Sequence, residues 1–233
     1  LRTMVYDEID KTYQIYQLKV GSSKILNYTY ILVDKISGQA AIVDPAWDLE
    51  GITNIFRELG SEPGIILLTH SHNDHVNLVD QLIDQFNSQV YMSAKEIDFY
   101  DFRCKNLHSI HNNDIINLGK TPITCLVTPG HTAGGICYLL ADSLFTGDTI
   151  FIEGCGICTT VGGSPEQMFE SIQSIKKVVE PHVRIYPGHS FGKKPGYSID
   201  YLQKYNIYFQ IESKEHFIKF RMRKNQKNLF NFK

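Results

Sequence analysis

The chain has 233 residues, 42% hydrophobic and 21% charged, with a formal net charge of −2. Such a balance fits a soluble globular chain with a sizeable core, organised as one domain over 1–233. It gives no global attraction to nucleic acid, and no apolar run approaches the roughly 18 residues of a membrane helix.

In chain order, short apolar strands alternate with amphipathic helices. Residues 13–20, 28–33 and 40–44 predict three antiparallel strands joined by turns at Gly21 and Gly38. Residues 48–60 predict a helix, with Asp48 as cap, Ile52, Ile55, Phe56 and Leu59 on one face, and Gly60 as stop. The wholly apolar "GIILLT", 64–69, predicts a buried central strand, followed by a helix over 75–86 and a strand over 89–92. Further strands are expected at 123–128, 136–141, 143–146 and 183–186. A helix over 165–180 has Ser164 as cap and Pro165 at its first position. A helix is expected over 198–211. Beyond it lies an alternating segment, with Ile218, Phe220 and Met222 opposite Lys219, Arg221 and Arg223. The expected class is α+β: two mixed sheets packed face to face, with helices outside.

Charge is uneven along this order. The last twenty residues hold seven basic and one acidic residue, against sixteen and twenty-four in the remainder. Residues 193–233 therefore read as a basic C-terminal segment on an acidic body. The five cysteines are odd in number, and only Cys155 and Cys158 are close together. That argues against a disulfide framework and for a reducing cytoplasm. "CGIC" reads as small buried side chains at a tight turn. The opening residues lack the apolar core of a signal peptide, and either residues precede Leu1 or Met4 is the native start.

Chemistry concentrates in "THSHNDH", where His70, His72, Asp74 and His75 fall in the loop between a buried strand and a helix. Crowded imidazoles are costly if they protonate together, and metal coordination removes that cost by holding them neutral. His131 in "PGHTAG", Asp148 in "FTGD" and His189 in "YPGHS" repeat the same form: apolar strand, sharp turn, ligand-type residue. Strand ends along one sheet rim converge, so these side chains can meet. His108, His111, His182 and His216 have no such context and read as ordinary histidines.

These four motifs resemble the metallo-β-lactamase superfamily over roughly residues 13–192. The resemblance implies an αββα sandwich with a two-metal site at one edge. It assigns His70, His72 and His131 to one ion, Asp74, His75 and His189 to the other, and Asp148 to a bridge. Two zinc ions are expected, although the donor set also accepts iron or manganese. They would share a water and lower its pKa, and the resulting hydroxide, oriented by Asp74, would attack a carbonyl.

The stretch "EGCGICTTVGGSPEQMFESI" resembles the glyoxalase II-like thioesterases within that superfamily. Their basic residue after Gly-Cys-Gly, which grips a glutathione carboxylate, is Ile157 here. Thr159 and Phe191 stand where aromatic hydroxyls occur in that branch. Ile cannot make a charge-assisted contact, so the thioesterase core is kept without the glutathione grip. Along nearly its whole length the chain is similar to the zinc-dependent hydrolases of bacterial trans-acyltransferase polyketide pathways. That implies acyl carrier protein, loaded with an acyl-phosphopantetheine thioester, as partner and substrate. An apolar pocket of Ile157, Thr159 and Phe191 would suit the arm. Lys193, Lys194, Lys219, Arg221, Arg223 and Lys224 would dock the acidic carrier. The alternative within the same fold is a hydrolase of glutathione or coenzyme A thioesters.

Overall fold

The structure, a computed structural model, describes residues 3–8, 11–21, 25–226 and 232. The first sheet is built from β1 (Thr3–Tyr6), β2 (Tyr13–Gly21), β3 (Leu26–Asp34), β4 (Ala40–Val43), β5 (Pro63–Leu67), β6 (Gln89–Ser93) and β7 (Leu107–Ile110), in that order. Its first four strands pair antiparallel and its last four parallel, with β4 common to both runs. The helices between these strands are α1 (Leu49–Leu59), α2 (Asn73–Val76), α3 (Val79–Phe86) and α4 (Ala94–Tyr100).

The second sheet contains β8 (Ile115–Leu118), β9 (Thr121–Val127), β10 (Ile136–Leu139) and β11 (Ser143–Gly147). A hairpin of β12 (Ile150–Phe151) and β13 (Gly154–Cys155) follows. After α5 (Pro165–Val178), β14 (Arg184–Pro187) returns to lie parallel to β11, giving the order β14-β11-β10-β9-β8. The chain continues through α6 (Ile199–Tyr205), α7 (Ile207–Gln210) and α8 (Lys214–Arg221).

Side-chain alternation makes the layers. On β3, Tyr30 and Leu32 point between the sheets, where they meet Ile123, Tyr138, Phe145 and Tyr186. Ile31 points the other way, to Ile52, Phe56 and Leu82 of the helices. The outer face of the second sheet, with Leu126, Cys137 and Leu144, packs on Met168, Ile172 and Phe217. Three apolar layers separate helix, sheet, sheet and helix, as expected for an αββα sandwich. Among the described residues, no helix is long and apolar enough to cross a membrane.

The structure corrects several element boundaries. The helix expected over 75–86 is broken where Asn77 accepts from the Trp47 amide and Leu78 bonds back to Pro45. The helix over 198–211 breaks at Asn206, whose side chain caps α7 by accepting from the Tyr208 amide. The alternating segment is not a strand. Ser213 caps a helix, α8, with Phe217 and Arg221, one turn apart, on its buried face.

Candidate metal centre and cleft

Five strands release their chemistry at their C-terminal ends: β4 before Asp44, β5 before His70, β9 before His131, β11 before Asp148 and β14 before His189. Two hydrogen bonds knit the sheets at this rim, Ile136 N to Thr69 O and Tyr28 N to Gly188 O. α2 carries Asp74 and His75. Two glycines let the loops close in. A Cβ at Gly156 would lie 2.9 Å from His131 Cγ, and one at Gly188 would lie 2.5 Å from His75 Cε1.

All seven sequence-derived ligand residues meet here. His70, His72 and His131 present donor atoms within 4.8 Å of one another, and so do Asp74, His75 and His189. Asp148 stands between the two groups. Its Oδ2 is 3.5 Å from His131 Nε2 and 3.4 Å from His189 Nε2, and its Oδ1 is 3.4 Å from His75 Nε2.

Each ring is held by its other nitrogen. His131 Nδ1 donates to the Ile157 carbonyl at 2.7 Å and His189 Nδ1 to the Leu26 carbonyl at 2.7 Å. His75 Nδ1 donates to Asp44 Oδ2 at 2.9 Å. The Thr69 hydroxyl donates to Asp44 and accepts from His70 Nδ1 at 3.0 Å. These outer partners orient the four rings so that Nε2 of each faces the cage. Glu96, fully buried, accepts from Ser71 N and Gly134 N and so clamps the two histidine loops together. Asn27 donates to Asp74 Oδ2 at 3.1 Å and accepts from Trp47 Nε1.

These residues fit metal ions. His70 Nε2, His75 Nε2 and Asp148 Oδ1 are buried without a hydrogen-bond partner, at a typical cost of about 1–3 kcal/mol each. Burial and neighbouring imidazoles keep His70 and His131 neutral, His131 down at about 4. Burial works the same way on His75 and His189, but the Asp148 carboxylate outweighs it, and His189 rises to about 9. Asp148 and Asp74 are themselves held below the usual carboxylate range: burial opposes this, but the surrounding histidines prevail. The pocket demands positive charge around two carboxylates while offering imidazole lone pairs, which a divalent cation satisfies at once.

The cage forms the floor of a cleft of about 670 Å³, walled by Ile157, Phe191, Phe151, Ile207 and Phe220. This size suits a small-molecule substrate or an extended arm. Thr159 does not line it: the loop turns after the buried Cys158, leaving Thr159 exposed and bringing Thr160 to the cleft. Phe232 also lines the cleft and stacks on His189, with ring centroids 4.0 Å apart. Cys155 and Cys158 are free thiols that burial pushes up, Cys155 to about 12, so both stay protonated.

The six basic residues do not share one face. Lys193, Lys194, Lys219, Arg223 and Lys224 are exposed, but Lys194 lines a separate groove with Met4 and Arg184. Arg221 is only 5% exposed, because α8 turns it inward to the cleft wall, where strand alternation would have turned it outward. Three residues escaped the sequence reading. Asp44 follows the same strand-end form as the ligands and was legible in "VDPAW". Asn27 and Glu96 carry no such local signal.

An αββα sandwich with a histidine-carboxylate cage on its rim defines a class of metal-binding hydrolase folds. The chain belongs to the metallo-β-lactamase superfamily, whose sequence model matches residues 25–189. It is 58% identical over 222 residues to the "Probable polyketide biosynthesis zinc-dependent hydrolase PksB" of Bacillus subtilis, covering 95% of this chain and 99% of that protein. To the similarly described BaeB of Bacillus velezensis it is 54% identical, covering 97% and 100%. A hydroxyacylglutathione hydrolase of Pectobacterium atrosepticum is 33% identical over 157 residues, covering 67% of this chain and 59% of that protein. Among solved structures, ETHE1 from Myxococcus xanthus superposes with a TM-score of 0.81 at 26% identity, covering 92% of this chain and 94% of that one.

Proposed function

We propose that this protein is a zinc-dependent hydrolase of polyketide biosynthesis that cleaves acyl thioesters from acyl carrier protein. One observation carries the reading: the His-Asp cage opens into a largely apolar cleft lined by Ile157, the residue that the resemblance puts where glutathione enzymes carry a basic grip. The full-length similarity to PksB and BaeB supports the pathway.

His70, His72 and His131 would hold one ion and Asp74, His75 and His189 the other, with Asp148 between them. When bound, such ions supply Lewis acidity and acidify a water toward neutrality. The remaining work falls to the chain. Asp44, Thr69 and the Ile157 and Leu26 carbonyls orient the imidazoles. Asp74 stays ionised, is tethered by Asn27, and faces the cleft with its side chain 24% exposed. It accepts a hydrogen bond from the attacking water and orients it toward the thioester carbonyl. The leaving group is an alkyl thiolate, far less basic than an alkoxide, so no general acid is needed. Ile157, Phe191 and Phe151 exclude water from the arm. The products are a free acid and the thiol of the carrier's arm.

Mass spectrometry of a panel of acylated carrier proteins tests this. Enzyme should shift each to the mass of the free-thiol carrier, and chelator should abolish the shift. Efficient cleavage of S-acylglutathione with no action on acylated carrier would overturn the reading in favour of a small-molecule thioesterase.

A further inference from the structure

We propose that Arg221 and Arg223, with the Tyr208 hydroxyl between them, form a subsite on the cleft wall for the phosphate of a phosphopantetheine arm. The inference rests on the thioesterase reading above and extends it to the recognition of the arm.

Arg221 is a buried cation with no anion in reach among the described residues. Its Nη1 donates to the Tyr208 hydroxyl at 2.9 Å and to the Cys155 carbonyl at 3.5 Å, and its Nη2 to Gln226 Oε1 at 3.1 Å. Its Nε is buried with no partner among the described residues. All these neighbours are neutral, since burial raises both the Cys155 thiol and the Tyr208 phenol. Among the described residues, no carboxylate lies within ion-pair reach of Arg221 or Arg223. Glu153 also lines the cleft, but its carboxylate accepts from Tyr201. Burying an unpaired charge is strongly unfavourable unless a partner arrives.

A second cation aggravates this. Arg223 Nη1 lies 3.3 Å from the same Tyr208 hydroxyl, and its guanidinium sits 3.9 Å from the Phe220 ring centroid. Two like charges converge on one neutral oxygen, both on the wall of the cleft whose floor is the cage. A phosphate between them removes the repulsion and matches the planar forks of both guanidinium groups. Phosphopantetheine supplies that geometry, with a thioester at one end for the floor, a phosphate at the other for the wall, and an uncharged arm between. The same phosphate comes on a carrier protein or on coenzyme A. Arg223 Nη1 also donates to the Phe220 carbonyl at 2.6 Å, but neither that contact nor Arg221 pinning α8 to the β12–β13 hairpin supplies a counter-charge among the described residues.

The test uses the metal-loaded enzyme and four acetyl thioesters: pantetheine, 4′-phosphopantetheine, coenzyme A and the carrier protein. Exposed Arg223 is replaced first, as Arg223→Gln and Arg223→Lys, then Arg221→Gln with its melting curve recorded. Arg223→Gln should raise KM for the phosphate-bearing thioesters about tenfold more than for the pantetheine thioester, and Lys should recover part of the loss. Equilibrium binding of free 4′-phosphopantetheine and pantetheine, read by calorimetry, is independent of turnover, and the phosphorylated form should bind about tenfold tighter. Equal binding of the two, or an equal KM change for all four thioesters, overturns the subsite. Dependence on Arg223 with coenzyme A but not with the carrier overturns the carrier's arm as occupant. No hydrolysis of any thioester overturns the thioesterase reading alone, and the binding comparison still decides the subsite.

Discussion

The cage and the cleft wall face the same cavity but are built in opposite ways. The cage residues sit after strand ends or at the start of a helix, and four of the five rings are fixed by a buried partner such as Asp44 or a backbone carbonyl. The wall is assembled from short helices, α7 and α8, and the β12–β13 hairpin, joined largely by side chains. On the proposed reading, the sheets would position the reactive groups and the wall would supply recognition. Reaction class and substrate choice therefore belong to different parts of the chain.

The largest effect should come from the cage. His70→Ala or Asp148→Asn should lower bound metal and cut turnover by about three orders of magnitude, the worth of several kcal/mol of Lewis acidity. Metal analysis beside rate measurement checks both. Full activity in a metal-depleted Asp148→Asn protein would break the division between cage and wall. Asp44→Asn should cost about 10–100-fold in metal affinity, measured by competition with a chelator, because it releases His75 and Thr69 from their orientations.

The wall should respond in stability rather than in metal. Asn206 Nδ2 donates to three carbonyls, those of Phe151, Ile152 and Gly154. Asn206→Ala strips that buried tie and should destabilise by about 1–3 kcal/mol in denaturant unfolding, with metal content unchanged. Ile157→Lys should lower KM for S-acylglutathione by about tenfold, the worth of one charge-assisted contact, without a gain in kcat. A gain in kcat alone would mean that this position acts on the chemistry and not on recognition.

The same contrast explains what could be read in advance. The cage was legible because its ligands are local in sequence: His70, His72, Asp74 and His75 share one loop after an apolar strand, and His131, Asp148 and His189 each follow a strand and a Gly-bearing turn. Asp44 follows a strand end as the ligands do, so "VDPAW" marks it locally, while its role depends on His75, 31 residues away. The wall was not legible because its signals are tertiary. Residues 218–223 alternate well enough to suggest a strand, yet Ser213 caps a helix that buries Phe217 and Arg221 together. Nothing local says that an arginine will be buried, since its neighbours Tyr208 and Cys155 are 13 and 66 residues away. Thr159 failed for a related reason: a bend after Cys158 exchanges its place with Thr160.

The smallest expected effect sharpens the comparison along a single strand, since β11 has a carboxylate at each end. Asp148 follows its C-terminal end and faces the cage. Asp142 precedes its first residue, pairs with Lys11 and accepts from the Tyr13 hydroxyl. Burial works against ionisation of Asp142, but the Lys11 and Tyr13 contacts outweigh it and hold its pKa below the usual value. A depressed folded-state pKa contributes stability above the unfolded value of about 3.9, and that stability is lost as pH falls through the folded value. The group is partly solvated, so the contribution should be about 1 kcal/mol or less. Melting curves of the wild type and Asp142→Asn should differ by a few degrees at about pH 6 and converge as the pH falls below about 4. A gap that failed to narrow at all as the pH fell below the unfolded value would show that the substitution perturbs packing instead. A strand end without metal ligands would then owe its order to shape rather than to charge.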